Sequence, residues 1–245
     1  MNHPNRFATD ALHMNELLAL EYDRHLQTLY KLIDTNKEVN EQPSWPFFMC
    51  VSNEYIRAPK KLLVVGQETY GWNNNEPRPC VKEAMDLYRG FVSSNNFHNS
   101  PFWWFRQMLA ERIGISVSVP YAEASLWTNL SKIDVNKKRP SDQLFDHTMQ
   151  FFIQLLVHEI DIVKPDIVLI TTANGKYNWH MNHYFSQYKN WAKKHLESSV
   201  YQLHSEKLPL NTFQIAHPNS LRFKKGKFTD KANSILDVIE RNLTM

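Results

Sequence analysis

Between Asp10 and Ile33 apolar residues recur as Met14, Leu18, Tyr22, Leu26, Leu29 and Ile33, the spacing of one buried helical face, with Asp10 placed as an N-cap. The polar stretch 36–48 carries two prolines and reads as a loop. Lys61-Leu62-Leu63-Val64-Val65 reads as a first strand, and a second is expected within 122–128. Pro101 is placed to open a helix that runs to Arg112 and stops at Gly114. Phe152, Leu156, Ile160 and Val163 share one face of a helix over 147–163, after which Pro165 introduces a third strand, 166–171. A fourth strand covers 212–216, and a helix over 230–241 closes the pattern. Strands alternating with helices imply a parallel sheet covered on both faces. The fold class expected is therefore α/β, a three-layer α/β/α unit with a central four-stranded parallel sheet and an added N-terminal helix. Neither a repeat nor a boundary interrupts it, so 1–245 reads as a single domain with 1–55 as an N-terminal helical extension.

Composition narrows the function classes only slightly. A chain of 245 residues is long enough to bury a full core without staples. Its two cysteines, Cys50 and Cys80, are too few for a disulfide framework or a four-thiolate iron–sulfur site, which suits a reduced cytoplasm. The first residues carry no apolar signal-like run, and no stretch approaches transmembrane length, so no membrane association is expected. A net charge of +3 does not by itself announce a polyanion partner. Two local clusters matter more: Lys137-Lys138-Arg139, and Arg222 with Lys224, Lys225 and Lys227.

The candidate chemistry lies at the ends of apolar runs. Gly66-Gln67-Glu68-Thr69-Tyr70 follows the first strand, and His217-Pro218-Asn219-Ser220-Leu221 follows the fourth. In an open parallel sheet, residues just past the carboxyl ends of strands converge on one crevice. A Gln, a carboxylate, a Tyr and a His brought together there form a candidate active site. The plainer roles for these residues are a helix-start carboxylate for Glu68 and packing aromatics for Tyr70 and Trp72. His180 and His183 form a His-x-x-His pair with no Cys or carboxylate nearby in sequence to complete a metal set, so no metal is expected there. There is no dinucleotide fingerprint, phosphate-binding Gly-Lys loop or Gly-x-Ser-x-Gly elbow.

These segments carry a resemblance. Gly66-Gln67-Glu68-Thr69-Tyr70 resembles the Gly-Gln-Asp-Pro-Tyr motif of uracil-DNA glycosylases, and His217-Pro218-Asn219-Ser220-Leu221 resembles their His-Pro-Ser-Pro-Leu. A third segment, Leu126-Trp127-Thr128-Asn129-Leu130-Ser131-Lys132, is similar to the Thr-Asn-Val-Val-Lys of the iron–sulfur relatives. The resemblance implies a glycosylase that flips a uracil or modified pyrimidine out of DNA and hydrolyses its N-glycosidic bond, leaving an abasic site. On that footing Glu68 orients the attacking water and faces the cationic sugar, and His217 donates a hydrogen bond to the departing base. Gln67 and Asn129 read the base edge, Tyr70 shuts out thymine, and Phe97 stacks on the base, with Phe91 in reserve and Phe102 packing its own helix. Leu221 fills the vacated duplex position, while Ser220, Arg222, Lys224 and Lys225 hold phosphates.

Two positions depart from the motif. Glu68 stands where the relatives have Asp, and Thr69 replaces a proline. The expectation is a monofunctional, metal-independent and cofactor-free hydrolase acting on single- or double-stranded DNA as a monomer. Lys132 is the one amine close enough in sequence to act as a nucleophile instead. The alternative is a catalytically inactive nucleic-acid or nucleotide-binding module on the same fold.

Overall fold

A computed structural model describes residues 10–75, 77–94, 100–115, 121–223 and 227–244. Helix α1 (Ala11–Asn36) begins where the pattern placed it, with the Asp10 carboxylate accepting from the His13 amide at 2.8 Å. The short α2 (Asn53–Arg57) leads into β1 (Leu62–Gly66), and α3 (Val81–Ser93) and α4 (Pro101–Arg112) follow. Next come α5 (Tyr121–Ala124), β2 (Leu126–Asn129), α6 (Asp142–Val163), β3 (Ile167–Ile170) and α7 (Gly175–Phe185). The chain ends through β4 (Ala192–His195), β5 (Tyr201–His204), β6 (Asn211–Gln214), a 3-10 turn (Pro218–Phe223) and α8 (Phe228–Arg241).

The strands form one mixed six-stranded sheet in the order β2-β1-β3-β6-β5-β4. This corrects the four-stranded expectation. The four anticipated strands are present and parallel to one another, but an antiparallel hairpin, β4–β5, extends the sheet beyond β6 and pairs with it antiparallel. Every residue of β1, β2 and β3 is buried, so both faces of the parallel part are covered, as a three-layer α/β/α arrangement requires. The hairpin differs: β4 is the polar strand Ala192-Lys193-Lys194-His195, largely exposed, and lysines on an edge discourage further pairing.

Helix α1 is integral to the core rather than appended to it. Leu18, Tyr22 and Leu29 are fully buried, and the Tyr22 ring stacks on Phe48 at 4.1 Å. The Tyr22 hydroxyl also donates to Glu159 of α6 at 2.8 Å. Glu159 in turn holds Lys132 at 2.7 and 2.8 Å, and both side chains are entirely buried. The Lys132 ammonium also donates to the Thr128 hydroxyl on β2, and burial pulls its pKa down against the attraction of Glu159. This network stitches α1, α6 and β2 together. No helix among the described residues is long and apolar enough to cross a membrane.

Candidate active site

The order β2-β1-β3-β6 puts a topological switch at β1 and β3, because the chain leaves β1 toward β2 and leaves β3 toward β6. Gln67 and Glu68, Asn129, Thr171 and Thr172, and His217 therefore lie at the carboxyl ends of four neighbouring strands. Two backbone bonds lock the first two ends: Leu130 donates to the Gly66 carbonyl at 3.0 Å and Ser131 to the Gln67 carbonyl at 2.8 Å.

The loop after β1 is fixed by Asp134. Its carboxylate accepts from the Thr69 hydroxyl, from the Trp72 amide at 3.1 Å and from the Lys137 amide at 3.0 Å. The Asp134 amide donates to Ser44 at 3.0 Å. Thr69 is buried, so the rigidity a proline ring would confer here comes from its hydrogen bond.

Glu68 is half-buried, and its Oε2 accepts a 2.6 Å hydrogen bond from the Tyr177 hydroxyl in the first turn of α7. Burial pushes the Glu68 carboxyl above its ordinary value, while the Tyr177 bond and the positive charge of Arg139 pull it back. Tyr177 is itself buried and keeps its proton, because burial and the neighbouring carboxylate raise its pKa well above the ordinary value.

Asn129 is 1% exposed and sits beside Gly66, its register partner on β1. Its Oδ1 accepts from the indole N–H of Trp127 at 3.0 Å. An indole N–H can only donate, so the oxygen must face Trp127 and the amide NH2 must face the other way. That NH2 is buried without a partner among the described residues. Burying an amide donor unpaired costs about 1–3 kcal/mol, so a buried NH2 held in one direction marks a place for an acceptor.

At the end of β6, the His217 Nδ1 accepts from the Asn219 amide at 3.3 Å, which leaves the ring proton on Nε2. Burial pushes the imidazole pKa down to about 4, so at neutral pH the ring is an uncharged donor. Phe102 of α4 lies parallel to it, with centroids 5.5 Å apart and planes 10° apart. Phe102 also approaches Trp127 at 6.2 Å, so an aromatic path joins His217 to the pair Trp127–Asn129.

The other anticipated site residues fall out differently. Gln67 is half-buried, and its side chain makes no hydrogen bond among the described residues. Tyr70 is 75% exposed, with the Lys137 ammonium 5.9 Å from its ring centre, so it stands at a rim. Trp72 and Phe91 are packing aromatics: their centroids are 5.6 Å apart, and Phe91 also meets Trp103 and Trp127. Phe97, Lys224 and Lys225 lie outside the described residues, as does the side chain of Arg222.

Leu221 requires a correction. It is 3% exposed and belongs to the hydrophobic core, not to an exposed wedge. The segment after His217 folds as a 3-10 turn, whose three-residue period turns Pro218 and Leu221 to one side, and both are buried. Lys231 of α8 donates to the Leu221 carbonyl at 3.2 Å and helps anchor the turn. Ser220 is half-buried, and its amide donates to the His217 carbonyl at 2.8 Å, so it shapes the His217 turn. Lys132, locked to Glu159, is not available as a nucleophile.

Sequence reasoning missed Tyr177, Asp134 and Trp127. Each acts through a contact that exists only once distant segments meet: Tyr177 lies 109 positions from Glu68, and Asp134 lies 65 from Thr69. Trp127 alone had a local signal, two residues before Asn129 on the same strand and therefore on the same face. Comparison with known proteins returns no match, either to a protein-family model or to a curated sequence.

Proposed function

We propose that this chain is a DNA glycosylase that takes uracil or a modified pyrimidine out of the base stack and hydrolyses its N-glycosidic bond. The observation that carries the reading is the placement of three side chains at the carboxyl ends of the parallel strands of one sheet. These are a buried amide with an oriented free NH2, a carboxylate held by a tyrosine hydroxyl, and an imidazole kept neutral by burial. The residue-level resemblance to uracil-DNA glycosylases, at Gly66–Tyr70, Leu126–Lys132 and His217–Leu221, points the same way.

The chemistry follows from what each group can do. Breaking the bond between the sugar carbon and the base nitrogen leaves positive charge on the sugar and the bonding electrons on the base. The Asn129 NH2 supplies a donor to a base carbonyl, and the pyrimidine edge offers one. His217 Nε2–H donates to a second carbonyl oxygen as negative charge builds there. A neutral imidazole does this without having to lose a charge first. Glu68 faces the sugar as a carboxylate, stabilises its positive charge and takes a proton from the water that adds to the sugar carbon. Tyr177 fixes that carboxylate in place, which offsets the freedom of the extra methylene in Glu relative to Asp.

The test is strand scission at abasic sites after alkali, using end-labelled oligonucleotides with one uracil in single strand, opposite G or opposite A. Wild type cleaves at the uracil, and Glu68→Ala and His217→Ala do not. Salt-sensitive DNA binding with no scission on uracil or on a panel of modified pyrimidines sinks the enzymatic reading and leaves a binding module.

A further inference from the structure

Away from the strand ends, α1 and α6 bring a second set of chemically capable side chains together. Glu21 and His25 are one helical turn apart on α1, and His158 reaches them from α6. One carboxylate oxygen, Glu21 Oε1, faces His25 Nε2 at 2.8 Å and His158 Nδ1 at 2.5 Å. The three candidate ligand atoms lie within 4.8 Å of one another. The two imidazole planes stand at 89° with centroids 6.0 Å apart, so the rings meet edge to face while each keeps a nitrogen on the same oxygen. The carboxylate is buried at 8% exposure, while the rings are 32% and 47% exposed, which leaves a path from solvent to the ligand atoms.

We infer that Glu21, His25 and His158 form a binding site for a borderline divalent cation, Zn2+ being the best fit to two imidazoles and one carboxylate. Zinc takes nitrogen and oxygen ligands at about 2.0–2.2 Å in tetrahedral geometry, which sets ligand atoms ~3.3 Å apart. The contacts here need only modest widening to reach that spacing, and water from the open side completes the shell. Each imidazole has one nitrogen facing the carboxylate, so moving its proton to the outer nitrogen frees the lone pair without changing its charge. Arg24 holds the other carboxylate oxygen, Oε2, at 2.7 Å and orients the carboxylate as an outer partner would, leaving Oε1 for the cation. The Arg24 positive charge opposes the cation, but its side chain is 68% exposed and screened by water. A cation here braces α1 against α6, over the network that joins Tyr22, Glu159 and Lys132.

The site is tested on the full-length, untagged chain by titrating ZnCl2 calorimetrically and by recording the visible spectrum with Co2+. The expected result is one equivalent bound, four-coordinate Co2+ bands displaced by Zn2+, and a thermal midpoint raised by ~5 °C or more at saturation. His25→Gln and His158→Gln, both at partly exposed positions, should each weaken Zn2+ binding by roughly tenfold or more while leaving the metal-free far-UV spectrum unchanged. The wild-type Co2+ spectrum stands without the variants if either fails to fold. Absence of binding by wild type overturns the inference. So does a stoichiometric site that survives both substitutions, or that is lost in His183→Gln instead.

Discussion

Replacing Gly66 with alanine adds one methyl group where the candidate site is tightest. Gly66 ends β1 outside the left-handed region, so its backbone accepts alanine without strain. The obstacle is the side chain opposite. A Cβ at Gly66 would sit 2.2 Å from Asn129 Oδ1 and 3.3 Å from Trp127 Nε1. An ordinary carbon–oxygen contact needs about an ångström more, so the Asn129 amide must retreat by that distance or rotate away from Trp127. Either movement breaks the indole–amide bond and leaves the buried N–H unpaired, at a cost of ~1–3 kcal/mol. For a chain of this size that lowers the thermal midpoint by roughly 2–4 °C per kcal/mol. An ångström of misplacement in a group that orients substrate costs ~100-fold in rate. Gly66→Ala should therefore stay folded, melt ~5 °C lower and release base about 100-fold more slowly under single turnover, with duplex affinity nearly unchanged. Wild-type melting and wild-type rate together would refute the packing argument and the role of Asn129.

Four further outcomes follow from the same geometry. Tyr177→Phe removes the bond that favours charged Glu68, so the carboxyl pKa rises further and the acidic limb of the pH–rate profile moves to higher pH; an unmoved limb means Glu68 is not the titrating group. Native Glu68 holds its proton more tightly than the unfolded chain does, so its contribution to stability is lost as pH rises from its ordinary 4.5 through the raised native value. Glu68→Gln should accordingly melt higher than wild type at pH 7 and no higher below pH 4.5. Native His217 binds its proton more weakly than the unfolded chain does, so stability is lost as pH falls from 6.5 toward about 4. An NMR titration should place its midpoint close to 4, and a midpoint near 6.5 contradicts the buried neutral ring. Leu221→Ala should cost ~2–4 kcal/mol in urea unfolding, as for a buried leucine, whereas an exposed wedge would lose activity at unchanged stability.

What the sequence disclosed divides along physical lines. Helices with a strong apolar period or a proline start were legible: α1 keeps its predicted cap at Asp10, and α4 runs from Pro101 to Arg112 as expected. Strands β1 and β3 were legible because burial on both faces makes them apolar throughout, whereas β2 (Leu-Trp-Thr-Asn) and β6 (Asn-Thr-Phe-Gln) bury polar residues and were legible from the alternation of strands with helices. The β4–β5 hairpin was not. Its strands are four residues each and largely polar, and its turn uses Ser198 and Ser199 at positive φ instead of the glycine or asparagine that announces such turns.

The site followed the same division. Asn129, Glu68 and His217 are visible because strand ends are visible and polar residues there are conspicuous. Their supports, Tyr177 for the carboxylate and Trp127 for the amide, depend on tertiary contact. Leu221 was misread because flanking polar residues in sequence say little about a 3-10 turn, where every third residue faces the core.

In the proposed mechanism Glu68 drives release of a base that Asn129 holds. The most direct measurement is mass-spectrometric detection of free base after one turnover on a uracil-containing oligonucleotide, comparing wild type with Glu68→Ala at matched DNA occupancy. Wild type should give stoichiometric free uracil and Glu68→Ala none above background, with both bound to the DNA. Equal release by the two proteins, or none by a DNA-bound wild type, contradicts that mechanism.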